Sequence, residues 1–127
     1  MEIEAVASRI VDCAVKVHRG LGPGLLESAY QKCLAYELQR AGSTVECEVV
    51  MPIRYAQVEI DAGFRADIIV DGMVIVENKA VERFIPIHQA QLLTYLKLSG
   101  LKLGFLLNWN VTLMKNGIHR MVYRLKQ

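Results

Sequence analysis

Residues 64–80 read FRADIIVDGMVIVENKA, and this stretch decides the fold. Two apolar segments flank an Asp-Gly pair, which is a strong signal for a hairpin turn. The pattern predicts two neighbouring strands, Phe64–Val70 and Met73–Ala80, joined through Asp71-Gly72. Both predicted strands are apolar except for a few charged side chains, so those charges need an explanation.

Three of these charges are Asp67, Glu77 and Lys79. Burying an unpaired charge costs several kcal/mol, so a folding sequence does not place charges in apolar strands without a reason. Glu77 and Lys79 are two residues apart and therefore point to the same face of the sheet. We interpret the three residues as a candidate site, provided that Asp67 shares their face.

The turn decides which face Asp67 occupies. A two-residue loop sets Asp67 opposite Val76 and sends Glu77 to the other face. A three-residue loop, Val70-Asp71-Gly72, sets Asp67 opposite Ile75 and leaves all three polar groups on one face. A difference of one residue in register therefore decides whether the site exists.

If the three side chains converge, their chemistry is specific. Two carboxylates are hard oxygen ligands that suit Mg²⁺ or Mn²⁺. Such a metal can activate water and neutralise the charge of a phosphate, and Lys79 can position the water or stabilise the developing charge. The alternative is a simple salt bridge from Lys79 to Glu77 or Asp67.

The rest of the chain predicts one α/β domain spanning residues 1–127. Apolar periodicity, glycine breaks and Pro86 place the other elements. The predicted helices are Ala5–Val17, Leu25–Ala41 and Pro86–Leu98, and the predicted strands are Val45–Ile53, Leu103–Asn108 and a final strand within Met114–Leu125.

Two predicted helices carry further polar candidates. Glu27 lies in the first turn of the second helix, where the helix dipole alone would favour a carboxylate. Gln91 and Tyr95 are four residues apart in the third helix and share a face with His88. These side chains either hydrogen-bond the sheet beneath them or face a substrate.

The ordered set of motifs resembles a known group of enzymes. Asp67 followed by Glu77-Asn78-Lys79 resembles the D…(D/E)-x-K signature of the PD-(D/E)XK nuclease superfamily, and residues 91–95 are similar to the Q-x-x-x-Y motif of its exonuclease branch. More closely, the whole chain resembles the GxxExxY protein family assigned to that superfamily. The matching stretches are residues 18–30, 60–67, 76–80 and 91–96.

The resemblance implies a restriction-endonuclease-like core of order α-α-β-β-β-α-β plus a C-terminal hairpin strand. It implies that Asp67, Glu77 and the main-chain carbonyl of Asn78 hold Mg²⁺ or Mn²⁺, and that Glu27 completes the metal shell or orients a water. Lys79 would be the catalytic lysine. Asn78 departs from the family, in which this residue is usually apolar. It points away from the site, so it needs a hydrogen-bond partner in the packing.

The resemblance also implies a reaction. A water attacks the scissile phosphate in line and leaves a 5′-phosphate on DNA or, less favoured, RNA. Gln91 belongs to the catalytic set by resemblance. The substrate-contacting set implied is Tyr95, Tyr30, His18 and Arg65. His18 has an alternative role at the C-terminal end of the first helix.

The charge distribution bears on the partner. All 13 acidic residues lie before residue 83, whereas residues 83–127 carry no acid. A polyanion such as DNA would suit that segment, although scattered surface cations are the alternative. Its basic residues are Arg83, Lys97, Lys102, Lys115, Arg120, Arg124 and Lys126.

Composition excludes several classes. A hydrophobic content of 53% excludes a disordered chain, and no apolar run is long enough to span a bilayer. The acidic N-terminus and three widely spaced cysteines favour a reducing cytoplasm over export. The high apolar content and the lack of a recognition domain leave an alternative function: a non-catalytic nucleic-acid-binding or protein-interaction module, or a homodimer that covers part of the surface.

Overall fold

A computed structural model describes residues 2–125 of the chain. The predicted order of helices and strands is confirmed, and β2 begins at Val58 rather than at Phe64. The helices are α1 (Ile3–Leu21), α2 (Glu27–Arg40) and α3 (Pro86–Ser99); the strands are β1 (Val45–Tyr55), β2 (Val58–Val70), β3 (Val74–Lys79), β4 (Leu103–Asn108) and β5 (Ile118–Val122), with a 3₁₀ turn at Met114–Gly117. Within residues 2–125, no helix has the length and apolar character needed to cross a bilayer.

The five strands form one mixed sheet in the order β1-β2-β3-β4-β5. Strands β3 and β4 are parallel because α3 connects them, and the other neighbouring strands are antiparallel. Pro86 begins α3, where its fixed φ suits the first helical turn. A mixed sheet flanked by helices confirms the predicted restriction-endonuclease-like fold.

The sheet separates two apolar layers. Helices α1 and α2 cover one face, where residues such as Ile10, Leu34 and Val76 are completely buried. Helix α3 covers the other face, where Leu92 and Leu96 are completely buried. Burying each such side chain contributes roughly 1.5–3 kcal/mol, so both faces of the sheet are firmly packed.

The β2–β3 turn has a different register from both predicted alternatives. Asp71 and Gly72 have positive φ angles of 52° and 64°, and the Met73 N–H donates to the carbonyl of Val70 at 3.0 Å. Met73 is then an extra residue, because Val70 pairs with Val74. This register sets residue 67 opposite residue 77, so the prediction of a shared face was right and the predicted loop residues were wrong.

Strands β1 and β2 both switch faces at one point. In β2, Ala66 and Ile69 pack on the α3 side of the sheet, while Ile68 packs on the side of α1 and α2. In β1, Val45 and Val49 pack on opposite sides although they are four residues apart. A regular strand would keep residues four apart on the same face, so the alternation is broken between them.

Glu48 of β1 and Asp67 of β2 lie at this break, which we call the backbone kink. The register on either side sets the two residues opposite each other. Glu48 has a φ of 54°, which is uncommon for a residue with a side chain. Holding such a conformation costs roughly 1–3 kcal/mol. The kink therefore coincides with Asp67, one of the residues that the sequence marks as a candidate site.

Candidate active site

The carboxylates of Asp67 and Glu77 each accept a backbone N–H from the neighbouring strand. The Asp67 N–H donates to Glu77 Oε2 at 2.8 Å, and the Asn78 N–H donates to Asp67 Oδ2 at 2.8 Å. The pairing of β2 with β3 ends at Ile68 and Val76. One residue farther on, these side-chain carboxylates accept backbone N–H groups in place of the carbonyls of the opposite strand. Within residues 2–125, the second oxygen of each carboxylate accepts no hydrogen bond.

The acid pair is electrostatically strained. Glu77 is only 4% exposed, and burial together with the charge of Asp67 raises its pKa to about 8. Burial also raises the pKa of Asp67, which the hydrogen bond from Asn78 partly offsets. Two neighbouring carboxylates that are both partly shielded from water repel each other when both are charged, so each raises the pKa of the other. A cation placed between them would relieve that conflict.

Lys79 lies on the same face of β3 as Glu77 and is partly exposed. Its charge lowers the pKa of both carboxyls. Within residues 2–125, however, no ion pair joins the lysine to either of them. The simple salt bridge considered from the sequence is therefore not formed. The backbone of Lys79 is fixed, because its carbonyl accepts the N–H of Trp109 at 2.9 Å.

Helix α3 brings Tyr95 to the acid pair. Burial raises the pKa of Tyr95, and the charges of Glu77 and Asp67 raise it further. Its ring stacks on Phe64 with centroids 4.3 Å apart, which fixes its position over β2. Gln91 lies one turn earlier on α3; it is exposed and, within the described residues, makes no side-chain hydrogen bond.

Glu27 reaches the site from another direction. It is the first residue of α2 and is exposed, and its charge contributes to the raised pKa of Asp67. The partial positive charge at the N-terminus of a helix suits an acidic side chain. The acid pair is therefore flanked by α2 on one side and by α3 on the other.

A model of the PD-(D/E)XK nuclease superfamily matches residues 4–121. The chain belongs to this superfamily. No curated protein and no solved structure was found to match it. Asp67, Glu77 and Lys79, which carry the superfamily's signature in the sequence, are the residues that meet at the acid pair.

The residues fit a divalent metal of the kind that the superfamily typically uses. Asp67 and Glu77 each present a carboxylate oxygen free of hydrogen bonds, and their mutual repulsion favours a cation. Magnesium sites are commonly built from one or two carboxylates completed by water and substrate phosphate. Among residues 2–125, no group of three or more His, Cys, Asp or Glu side chains is arranged to hold a metal, so Glu27 does not complete a three-carboxylate site.

Asn78, the residue between Glu77 and Lys79, finds hydrogen-bond partners on the opposite face of the sheet. Its Oδ1 accepts the indole N–H of Trp109 at 2.9 Å, and its Nδ2 donates to Gln31 Oε1 at 3.2 Å. Asn78 is 1% exposed, so these bonds remove the penalty of burying an amide. The predicted need for a hydrogen-bond partner is confirmed.

Two residues of the implied substrate set lie in the interior instead. Tyr30 is completely buried, stacks on Trp109, and donates its hydroxyl to the Gly22 carbonyl at 2.6 Å. His18 is 6% exposed, and its Nε2 lies 2.8 Å from the carbonyl of Val111. The structure thus corrects these two expectations: both side chains fasten loops, and neither presents its ring to a substrate.

Sequence reasoning missed Glu48. Its carboxylate accepts the Gln31 amide at 3.0 Å through Oε1 and pairs with Arg65 Nε at 2.9 Å through Oε2. Its charge raises the pKa of Asp67 and of Glu77. Glu46 and Glu48 alternate with apolar residues in β1, as in an ordinary strand, and no sequence signal reveals a left-handed glutamate.

The basic residues of the C-terminal third are exposed where the structure describes them. Arg120 pairs with Glu4 through both terminal nitrogens, at 2.9 and 2.6 Å, so this cation is already neutralised. Lys126 lies outside the described residues. Cys13, Cys33 and Cys47 are free thiols, in agreement with their spacing in the sequence.

Proposed function

We propose that this chain is a nuclease that depends on Mg²⁺ or Mn²⁺ and hydrolyses phosphodiester bonds of DNA, with RNA as the less favoured substrate. We also propose that it belongs to the GxxExxY family within the superfamily. The acid pair carries the proposal, because the buried carboxylate of Glu77 beside the half-buried carboxylate of Asp67 is unfavourable without a cation.

The side chains divide the work as follows. Asp67 and Glu77 would hold the metal through the oxygens that accept no backbone N–H, and the Asn78 carbonyl would be a third ligand. The bound metal supplies Lewis-acid chemistry, which activates water and neutralises phosphate charge. Lys79, on the same face and without an ion-pair partner in the described residues, would position the water and stabilise charge on the phosphate.

In the reaction, a water oxygen forms a bond to phosphorus while the bond to the 3′ oxygen breaks. The water proton passes to solvent, the departing 3′ oxygen takes up a proton from solvent, and the products carry a 5′-phosphate and a 3′-hydroxyl. Tyr95 and Gln91 on α3 would contact or brace the substrate above the acid pair. Glu27 would orient a water at the start of α2, and Arg65 would contact phosphate.

The first test compares Asp67→Asn with the wild-type chain on plasmid DNA, single-stranded DNA and RNA with Mn²⁺. We expect a loss of at least about 10³-fold in cleavage rate, because a metal-bearing carboxylate is removed from the reacting centre. The exposed hairpin acid Asp61 provides the control variant, Asp61→Asn, which should keep full activity. Full activity of Asp67→Asn would remove the proposed metal site.

Metal binding is measured separately by isothermal titration with Mn²⁺. The wild type should bind, and Asp67→Asn should bind far more weakly while keeping its thermal midpoint. Absence of binding near millimolar Mn²⁺ in the wild type would contradict the proposal.

A further inference from the structure

Glu48 sits where the site is most strained. It lies opposite Asp67 at the backbone kink, with a φ of 54°. Glycine or asparagine would adopt this conformation at lower cost. Nevertheless the position carries a long acidic side chain, and both of its oxygens have partners. The carboxylate of Glu48 therefore makes interactions that glycine or asparagine at this position would not make.

A relay of three hydrogen bonds leads from the buried core to Glu48 at the surface. The indole of Trp109 donates to Asn78, the Asn78 amide donates to Gln31, and the Gln31 amide donates to Glu48 Oε1. Trp109 is completely buried, and Asn78 is nearly so. The relay connects the half-exposed carboxylate of Glu48 to the core, because Trp109 holds the amide of Asn78 and Asn78 holds the amide of Gln31.

Arg65 is the group at the outer end of this relay. Its Nε lies 2.9 Å from Glu48 Oε2, and its side chain is 65% exposed. Within residues 2–125, its only ion-pair partner is this carboxylate, and its guanidinium makes no other hydrogen bond to protein. Contact through Nε leaves the two terminal amino groups of the fork for an anion. A guanidinium fork matches the geometry of a phosphate.

We propose that Glu48 is a positioning residue that holds Arg65 to receive a backbone phosphate of the nucleic acid next to the scissile bond. This inference rests on the proposed nuclease function. Glu48 lies opposite Asp67 at the backbone kink and holds the guanidinium of Arg65, so a strand bound at the acid pair would pass this guanidinium at the kink. Glu48 acts through Arg65 and does not itself touch the substrate.

The proposal predicts a specific kinetic pattern. Arg65 contacts a phosphate whose bonds do not change in the reaction, so its interaction is equally strong in the ground state and the transition state. Loss of such uniform binding raises KM and leaves kcat unchanged. A merely structural role for Glu48 would instead reduce the fraction of active enzyme and therefore lower kcat.

The experiment measures steady-state cleavage of a DNA strand with Mn²⁺ by Glu48→Gln, Arg65→Met and the double variant. We expect each single variant to raise KM about tenfold with kcat within twofold of wild type. The double variant should match the singles, since both changes remove the same contact. Glu46→Gln, an exposed acid on the same strand, should match the wild type.

Several results would overturn the inference. They are a fall in kcat at unchanged KM, additive effects in the double variant, or an equal effect of Glu46→Gln. If Glu48→Gln loses thermal stability, Arg65→Lys gives the same test, because it keeps the charge but removes the fork, and it should raise KM severalfold. An unchanged KM for Arg65→Lys and Arg65→Met would also overturn it.

The same data separate this inference from the proposed function. If the wild type cleaves and Asp67→Asn does not, while Glu48→Gln behaves like the wild type, then the function stands and the positioning role of Glu48 fails. If the wild type cleaves neither DNA nor RNA with Mn²⁺, the proposed function fails and this inference fails with it.

Discussion

The two faces of β3 at its C-terminal end offer a direct comparison between neighbouring residues. Asn78 points toward α2 and finds a partner for each polar group of its amide. Glu77 points toward α3, is equally buried, and faces the charge of Asp67. On the α2 face the buried amide therefore has its hydrogen-bond partners, whereas on the α3 face the charged form of Glu77 is unfavourable.

This difference distinguishes a buried polar residue that stabilises the fold from one that is typical of a functional site. A buried amide with complete hydrogen bonding adds specificity to the fold, and its loss should be felt in stability. A buried carboxylate with a raised pKa adds no stability above that pKa, and such groups cluster at functional sites. The comparison thus predicts a role in stability for Asn78 and, under the proposed function, a role in the reaction for Glu77.

The largest expected effect comes from Glu77→Gln. The substituted amide oxygen can still accept the Asp67 N–H, so the fold is retained, whereas a charged metal ligand is lost. We expect cleavage with Mn²⁺ to fall at least about 10³-fold. The thermal midpoint at pH 8 should be unchanged or higher. Glu82→Gln, at an exposed position outside the site, should leave both measurements unchanged; a large drop in the midpoint for Glu77→Gln would assign Glu77 to the fold instead.

The next effect is a pH dependence of stability in metal-free buffer. An unfolded glutamate loses its proton near pH 4.5, whereas folded Glu77 keeps its proton up to a pKa of about 8. Between these values the folded state binds more protons, so stability falls as pH rises, by an amount on the order of 4 kcal/mol in total. Urea unfolding of the wild type and Glu77→Gln from pH 4.5 to 9 measures the difference.

Subtracting the unfolding free energy of the variant from that of the wild type at each pH removes the contributions of other titrating groups, such as the histidines. A difference that does not change with pH would contradict the raised pKa. Adding Mg²⁺ at pH 8.5 should restore stability to the wild type and not to the variant, since the cation relieves the repulsion with Asp67.

The smallest of the three effects belongs to Asn78→Leu. The indole N–H of Trp109 would be left buried without an acceptor, which should cost about 2 kcal/mol in the free energy of unfolding. Cleavage per folded molecule should change much less than in Glu77→Gln. Asn110→Ala, at an exposed position in the following loop, should have no comparable effect. A loss of cleavage without a loss of stability would reverse the assignment.

Much of the fold could be predicted because local patterns agree with the tertiary structure. Leu103–Asn108 is a continuous apolar run bounded by polar residues, and its strand limits are confirmed. Pro86 placed the start of α3 correctly. The first part of β2, from Val58, was missed because this hairpin extends beyond the core, and its exposed residues lack a buried face to set their pattern.

The site was predictable in composition but not in geometry. Asp67, Glu77 and Lys79 were identified because charge in an apolar strand is unusual. The register that places them on one face depends on a third residue in the turn, Met73. Local turn rules do not specify this residue. Glu48 escaped notice because its role depends on the backbone kink, and Tyr30 was assigned outward because its loop contact arises only in the tertiary structure.

The extra residue in the β2–β3 turn decides which side of the sheet each polar group of β3 occupies. Surface loops usually accept insertions and deletions, because their ends can adjust. Here, a two-residue turn that paired Met73 with Val70 would bring Glu77 and Asn78 into each other's places. An amide would then face α3, and a carboxylate would be buried against Trp109. The three-residue length of this turn is therefore as important to the site as the identity of the acids that it aligns.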